Sequence, residues 1–407
     1  MPTRPKIYIA LPVMDEVDLL QSCLQCIGNQ TYTNFHVVVC VNQPEDWWDN
    51  EDKTEVCLNN ATTLSFLSDL KKTNYSIIDK SSKGNGWKGN KKGVGWARKT
   101  IMDCIAKIAK PTDIIISLDA DTTFGENYFA SVINLFSEFK NAVALSNPYY
   151  HKRTGSDAED RAILHYEIYM RNYVINLLRI NSPYAFSALG SAIALPVSSY
   201  KAIGGLTPKL SGEDFYFLQK LRKYGKILVY NNEKVFPEAR FSDRVFFGTG
   251  PAMIKGNAGD WNSYPVYRHS LFDKIKITND CFADLFKEDI ETPMSGFLKE
   301  QFATNNLWKP LRDNFINSEN FIRACHEKID GLRILQFLKL QQNKFEKTDE
   351  QCLYENIVNC FSNYQPYVNL KQLEDIDFEK CSIDLLDDIR NYLVAIETHL
   401  QEKQKLV

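Results

Sequence analysis

Several features that would assign this sequence to a specialised class of protein are missing. Its 407 residues include 10 scattered cysteines, too few for a disulfide scaffold, so we expect reduced thiols. Cys23 and Cys26 form a C-x-x-C within a helical pattern, but no second pair of metal ligands accompanies them, which favours core packing over redox or zinc chemistry. The net charge of -3 offers no electrostatic footprint for nucleic acid, so we expect none as a partner.

Long apolar runs and an N-terminal targeting signal are also missing. The first six residues lead directly into a strand pattern, and no uncharged run approaches the length that spans a bilayer. We therefore expect a cytoplasmic protein without a transmembrane segment, whose contact with a membrane, if any, is peripheral.

The remaining composition is that of a globular protein, with 44% hydrophobic and 24% charged residues. Buried-strand patterns alternate with helical patterns in the N-terminal part, at residues 6–13, 34–42, 75–79, 114–118, 142–146 and 226–230. This alternation predicts an α/β fold with a mixed, mostly parallel sheet flanked by helices. From about Trp261 the strand signals fade, so we predict a main domain at 1–260 and a mainly helical C-terminal region at 261–407.

Two carboxylates follow the apolar run that begins at Ile114. Asp119 and Asp121 stand one residue apart, directly after a strand of the predicted sheet. Open α/β sheets bind ligands at the carboxyl ends of their strands, and two hard oxygen donors suit a divalent cation that also holds phosphate. The alternative is an acidic turn without function, because Asp is common in turns and helix caps.

Two basic segments are candidates for binding phosphate. The loop from Lys80 to Arg98 is rich in glycine and lysine and leads into a helix, so its N–H groups and ammonium groups suit an anion. Farther along, Arg240 and Arg244 precede a glycine-threonine turn and suit bidentate contact with a diphosphate. The alternatives are a flexible surface loop and ordinary surface arginines.

A second acidic pair, Glu213 and Asp214, falls at the start of a predicted helix that ends near Gly225. Helix capping explains one acid at this place. The alternative is a general base, held on a rigid helix N-terminus and directed at a hydroxyl nucleophile.

Taken in order, these motifs resemble the family 2 glycosyltransferases of the nucleotide-diphosphosugar transferase (GT-A) fold. The resemblance covers roughly residues 5 to 250 and rests on the Asp-x-Asp strand together with four segments: Ile9–Glu16, Asn29–Phe35, Gly95–Arg98 and Gly212–Asp214. It implies a GT-A, Rossmann-like domain with a nucleotide-sugar-binding half at 1–125 and an acceptor-binding half at 126–260. The Q-x-x-R-W of processive polysaccharide synthases is missing, and the region after residue 260 matches nothing in the family.

The resemblance also implies a role for each matching residue. Asp121 would ligate Mn²⁺ or Mg²⁺, with Asp119 as a second ligand that more closely faces the ribose. Asp214 would be the catalytic base, with Glu213 beside it in the acceptor site. The remaining residues would contact the nucleotide or its phosphates: Pro12, Glu16, Asn42, Asp79, Arg98, Arg240 and Arg244. An acid is frequent at the position of Asn42, which leaves the identity of the base open.

The sequence therefore predicts a metal-dependent, inverting glycosyltransferase of the hexosyltransferase type. It would move a sugar from a nucleotide-diphosphate donor, expected to be a UDP-sugar, to the hydroxyl of a glycan or lipid-linked acceptor in polysaccharide biosynthesis. One alternative is a nucleotidyltransferase on the same fold, although the first strand lacks a glycine-rich signature loop. The other is a non-catalytic nucleotide-sugar-binding or scaffold protein. The presence of all four acids argues against it: Asp119, Asp121, Glu213 and Asp214.

Overall fold

The computed structural model describes residues 4–70, 72–243, 248–364 and 373–405. Two compact units can be separated by their internal contacts. The first comprises residues 1–160 and 187–255, and the second comprises 161–186 and 256–407. Residues 161–186 therefore belong to the second compact unit, although they come before residue 260 in the chain. The predicted division into domains at residue 260 stays a prediction.

The first unit is built on a seven-stranded sheet in the order β3-β2-β1-β4-β7-β6-β8. Neighbouring strands are parallel except around β7, which runs antiparallel to β4 and β6. The strands are β1 (Ile7–Val13), β2 (Phe35–Asn42), β3 (Tyr75–Lys80), β4 (Ile114–Ser117), β5 (Thr123–Phe124), β6 (Ala142–Ser146), β7 (Ile193–Pro196), β8 (Lys226–Leu228) and β9 (Val235–Phe236). The mixed, mostly parallel sheet expected from the sequence is confirmed.

The central strands read as continuous apolar runs because both faces of the sheet are covered. Every residue of β1 and β4 is buried, as is typical of parallel strands enclosed by helices. The helix α3 packs against β1 and β2, and α7 packs against β6 and β8. The first eight helices of the chain are α1 (Val17–Gly28), α2 (Thr54–Asp69), α3 (Val94–Ile108), α4 (Tyr128–Glu138), α5 (Asp157–Arg179), α6 (Val197–Ala202), α7 (Glu213–Tyr224) and α8 (Thr249–Asn257).

Three strands that the sequence analysis missed, β5, β7 and β9, determine much of the local arrangement. β7, formed by a short run of small and apolar residues, inserts between β4 and β6. β5 pairs with β9 in a separate two-stranded sheet, with Thr123 opposite Phe236. This pairing fixes the chain just after Asp121 beside the chain that leads to Arg240.

A glycine at the start of α3 permits its close approach to the segment before α7. A Cβ at Gly95 would lie 2.4 Å from the carbonyl oxygen and 2.9 Å from the amide nitrogen of Lys209. We expect Gly95→Ala to lower the free energy of unfolding by about 1–3 kcal/mol through overpacking, beyond its gain in helix propensity. Urea unfolding will measure this loss.

The matched control is Gly28→Ala, because a Cβ there meets nothing within 4 Å. Equal free energies of unfolding for Gly95→Ala and Gly28→Ala would contradict the close approach of α3 to Lys209.

The second unit is helical in its described residues. Beyond residue 260 its helices are α9 (His269–Asp280), α10 (Phe282–Leu285), α11 (Ser295–Gln301), α12 (Lys309–Asn314), α13 (Ser318–Lys328), α14 (Gly331–Gln342), α15 (Asp349–Asn356) and α16 (Ile383–Lys405). The predicted helical character of the C-terminal region is thus confirmed.

Inside the second unit, α5 and α16 are joined by buried ion pairs. Arg171 contacts Glu167 at 2.9 Å and Glu397 at 2.5 Å, and Arg390 lies 3.4 Å from Glu167. Removal of one partner would leave an uncompensated buried charge, which is costly.

Candidate functional site

The predicted site residues meet where the strand order of the sheet reverses. After β1 the chain continues to β2 on one side of it, and it later returns through β4 on the other side. The carboxyl ends of β1 and β4 are therefore adjacent ends of parallel strands whose connections diverge, which is where open α/β sheets form a ligand crevice. Glu16 follows β1, and Asp119 and Asp121 follow β4.

Backbone hydrogen bonds set the course of the chain around the two aspartates. The amide of Leu118 donates to the carbonyl of Ala10 at 3.1 Å, which extends the pairing of β4 with β1 by one residue. The amide of Thr122 then donates to the carbonyl of Asp119 at 3.1 Å and closes a turn. The Asp121 side chain retains 18% of its exposure, so a carboxylate remains accessible at the strand end.

Arg240 bridges two of the predicted donor-site acids. Its Nη2 atom lies 2.5 Å from Oε1 of Glu16 and 3.2 Å from Oδ2 of Asp121. The guanidinium therefore supplies positive charge at the place where the sequence predicts a cation and a diphosphate. Arg244, the second predicted arginine, lies outside the described residues.

Arg98 lies behind the Asp-x-Asp turn and is engaged by other side chains. Its Nη2 donates to Oδ1 of Asp119, and its Nη1 donates to Ser117 Oγ at 3.3 Å. Its Nε lies 3.4 Å from Oε1 of Glu213, and only 5% of its side chain is exposed. The predicted contact of Arg98 with the donor stays a prediction, since the guanidinium is occupied here by two carboxylates.

The acidic pair at the start of α7 divides into a buried and a partly exposed member. Gly212 adopts the left-handed conformation that precedes the helix, with φ +71°. Glu213 is 3% exposed, whereas Asp214 is partly exposed and accepts a hydrogen bond from the amide of Phe215 at 2.7 Å. Asp214 is thus the more exposed residue of the pair.

Both carboxyls of this pair are harder to ionise than a carboxyl in water. Burial raises the pKa of Glu213 to about 7, and the nearby Arg98 opposes this effect. Burial also raises the pKa of Asp214, against the opposing influence of Arg98 and of the Phe215 amide. A carboxylate with a raised pKa is a stronger base, which suits proton abstraction.

Both the amide nitrogen and the amide oxygen of the Asn42 side chain form hydrogen bonds within the protein. Its Nδ2 donates to the carbonyl of Val13 at 3.0 Å, and its Oδ1 accepts from Trp87 Nε1 at 3.2 Å. The residue is 2% exposed. Asn42 therefore ties β1 and β2 to the loop that contains Trp87, and its predicted contact with the base stays untested.

We expect Asn42→Asp to lower the free energy of unfolding by about 1–3 kcal/mol at neutral pH, because a carboxylate cannot donate to the Val13 carbonyl. Burial beside this carbonyl raises the pKa of the new carboxyl in the folded state. The loss should therefore shrink as the pH falls toward about 4, where the protonated acid can donate. Urea unfolding as a function of pH will measure it.

Asn34→Asp is the matched control, because Asn34 is exposed and also donates to backbone carbonyls. Equal losses at the two positions, or a loss at residue 42 that does not depend on pH, would contradict the burial argument.

Asp79 stabilises the loop that follows β3. Its carboxylate accepts from the amides of Ser81 and Ser82, each at 2.9 Å, and from Asn85 Nδ2 at 3.0 Å. Burial raises its pKa, but these hydrogen bonds outweigh that effect and lower the pKa to about 2. Pro12, the remaining predicted donor residue, is buried within β1 opposite Cys40 of β2.

The glycine- and lysine-rich loop already holds an anion from the protein itself. The amides of Gly84 and Gly86 donate to the Glu45 carboxylate at 2.6 and 2.7 Å. A Cβ at Gly86 would lie 2.7 Å from Glu45 Cα, so the approach is close. The sequence analysis recognised the loop as suited to an anion but did not identify Glu45 as its occupant.

The carboxylates of the site can hold a divalent cation only if a bound ligand completes the coordination of the ion. Within the described residues no group of three or more His, Cys, Asp or Glu side chains is placed to hold a metal ion. Mg²⁺ sites at phosphates often use one or two protein carboxylates and complete their coordination with phosphate oxygens and water. Asp121 fits this pattern, while one oxygen of Asp119 is taken by Arg98.

In the part of the chain that the structure describes, no helix combines the length and apolar character needed to cross a membrane.

No protein-family model and no curated protein sequence matches this chain. Solved structures with detectable similarity include residues 1-349 of S. aureus TarS, with 13% identity and a TM-score of 0.39, covering 98% of this chain and 92% of that one. The same fragment in complex with UDP-GlcNAc has 12% identity and a TM-score of 0.42, and the match covers 84% of this chain and 93% of that one. The mannosyltransferase PcManGT from Pyrobaculum calidifontis, in complex with GDP-Man and Mn²⁺, has 12% identity and a TM-score of 0.39, and the match covers 97% of this chain and 86% of that one. Similarity of this degree assigns no function to the chain.

Proposed function

We propose that this protein is a metal-dependent glycosyltransferase that moves a sugar from a nucleotide-diphosphate donor to an acceptor hydroxyl. The observation that carries the proposal is the pairing of Asp121 with Arg240 at the strand-order reversal of the sheet. Asp214, the proposed base, lies at the start of α7, whose first residue contacts Arg98 behind the same turn. The motif set that resembles family 2 glycosyltransferases supports the same proposal and favours a UDP-sugar.

The charges of the site suit departure of a nucleoside diphosphate. When the sugar-phosphate bond breaks, negative charge develops on the leaving phosphate, and fixed positive charge near it lowers the barrier. Arg240 would contact the diphosphate, and Asp121 would hold the Mn²⁺ or Mg²⁺ ion. When bound, this ion would supply further positive charge to the phosphate oxygens.

Asp214 would act on the acceptor. Its carboxylate would accept the proton of the attacking hydroxyl as the new glycosidic bond forms. A direct attack opposite the leaving group needs one base and inverts the anomeric centre. We therefore propose an inverting reaction with no covalent intermediate on the protein.

A ligand screen followed by product analysis tests the proposal. We expect a nucleotide-sugar, UDP-sugars first, to raise the melting temperature of the full chain in the presence of Mn²⁺ and less in its absence. Incubation with that donor should then release nucleoside diphosphate, either by transfer or by slow hydrolysis. Release of pyrophosphate from a nucleoside triphosphate and sugar phosphate would indicate a nucleotidyltransferase instead. Binding with no turnover, even with acceptor glycans supplied, would favour a non-catalytic binding protein.

A further inference from the structure

Arg98 joins two acids that belong to different parts of the proposed reaction. Asp119 follows β4 on the donor side, and Glu213 begins the helix that presents Asp214. The guanidinium donates to Asp119 and lies 3.4 Å from Glu213, and the Arg98 and Glu213 side chains are 5% and 4% exposed. One buried cation therefore compensates both acids and ties the donor side of the site to the start of α7.

The space for this guanidinium depends on a glycine that the motifs did not identify. A Cβ at Gly190 would lie 2.0 Å from Nη1, 2.3 Å from Nη2 and 2.4 Å from Cζ of Arg98. Gly190 is not among the glycines with positive φ, so its backbone does not require glycine. Residue 190 is glycine because the Arg98 guanidinium occupies the space that a Cβ would need.

From these contacts we infer that Arg98, Glu213 and Gly190 are positioning residues, which hold Asp214 in place without contacting the substrate, and that the charge of Arg98 favours the ionised form of Asp214. The inference rests on the proposed function, since it assigns the base role to Asp214. It gives Glu213 a supporting role in place of a catalytic one, and it gives Arg98 a role that does not include phosphate binding. Gly190 acts by leaving room for Arg98.

The inference predicts different effects from the two charged residues. The charged groups near Asp214 are Arg98 from α3, Asp119 from the turn after β4, and Glu213 beside it on α7. Loss of the Arg98 charge removes the cation that favours the ionised base, so the pKa of Asp214 should rise. Burial raises the pKa of Glu213 to about 7, so this acid is mostly protonated below neutral pH, and its replacement by glutamine should leave the pKa of Asp214 nearly unchanged.

The test uses the pH dependence of turnover in three variants of the full chain. The base must be ionised, so we expect the acid limb of the kcat profile to move up by about one pH unit or more in Arg98→Met and to stay near its wild-type position in Glu213→Gln. Gly190→Ala should shift the acid limb in the same direction as Arg98→Met, and the control Gly28→Ala should keep the wild-type profile. The donor KM should change less than kcat in the three variants. No upward shift in Arg98→Met and Gly190→Ala, or an equal shift in Glu213→Gln, would overturn the inference.

A second measurement separates this inference from the proposed function. In protein labelled with ¹³C at the aspartate carboxyl carbons, the Asp214 resonance is the one missing in Asp214→Asn. We expect it to titrate at higher pH in Arg98→Met and in Gly190→Ala, and near its wild-type pH in Glu213→Gln. If the wild type turns over no donor, the proposed function fails, and this titration still shows whether Arg98 favours the ionised form of Asp214. If Arg98→Met does not fold, Gly190→Ala carries the test, and an unchanged Asp214 titration in that variant overturns the inference.

Discussion

Asp214→Asn should abolish transfer while leaving donor binding nearly unchanged. Asparagine keeps the size of the side chain and an oxygen that can accept from the Phe215 amide, but it cannot take a proton from a hydroxyl. Loss of a general base of this kind costs about 10²–10⁴-fold in rate. We therefore expect kcat to fall by this factor, while the shift in melting temperature caused by the donor with Mn²⁺ stays close to that of the wild type.

Asp69→Asn is the control, because Asp69 is an exposed aspartate at the end of α2 in the same unit. It should retain wild-type turnover and wild-type donor binding. Near-normal turnover in Asp214→Asn would contradict the base assignment, and Glu213 would then be the next acid to test. A loss of donor binding together with turnover would instead indicate that Asp214 lies in the donor site.

The parts of the fold that follow from local pattern were predictable. The strands β1, β2 and β4 are largely apolar and contain many β-branched residues, and the predicted bounds of β4, 114–118, differ from Ile114–Ser117 by a single residue. The carboxylates that follow β4 were recognisable as candidates because open α/β sheets bind ligands at the carboxyl ends of their strands. Local pattern thus identified the sheet and the acids after β4.

Local pattern also failed in a definable way where a helix ends. The apolar periodicity predicts helix from 321 to 345, whereas α13 ends at Lys328 and α14 begins at Gly331. The interruption is set by Asp330, whose side chain accepts from the Arg333 amide and so caps α14. Periodicity alone does not register such a cap, because the apolar residues on both sides remain in phase.

Contacts between distant residues could not be predicted from one sequence. Arg240 follows Asp121 by more than a hundred residues, and the pairing of β5 with β9, each two residues long, brings the two segments together. Strands this short leave almost no periodic signal. The packing of Arg98 against Gly190 and its ion pair with Asp119 likewise depend on three-dimensional contacts, which one sequence does not reveal.

The pairing of Asp121 with Arg240 makes a second large effect testable. Asp121→Ala should remove the metal-dependent part of donor binding, because it deletes the carboxylate proposed to hold the cation. A ligand at a hundred times its Kd stabilises the folded state by about 2.7 kcal/mol. We expect the Mn²⁺-dependent share of this stabilisation to disappear in the variant, as measured by thermal shift at a fixed nucleotide concentration.

Arg240→Gln should instead strengthen the binding of Mn²⁺ in the absence of nucleotide. In the structure the Arg240 guanidinium already contacts Asp121, so it competes with any cation for that carboxylate. Its removal should let Mn²⁺ bind more tightly in the absence of nucleotide, while the nucleotide itself, having lost a cationic partner, binds more weakly. Isothermal titration with Mn²⁺ alone and then with nucleotide measures the two effects separately.

The control for both variants is Asp18→Ala, which removes an exposed carboxylate from the first turn of α1. It should leave Mn²⁺ and nucleotide binding unchanged. Unchanged Mn²⁺-dependent binding in Asp121→Ala would contradict the metal assignment and leave the acid with a structural role as the partner of Arg240. Weaker Mn²⁺ binding in Arg240→Gln would show that the arginine supports the cation site instead of competing with it. The two variants thus separate a carboxylate that binds the cation from one that only anchors an arginine.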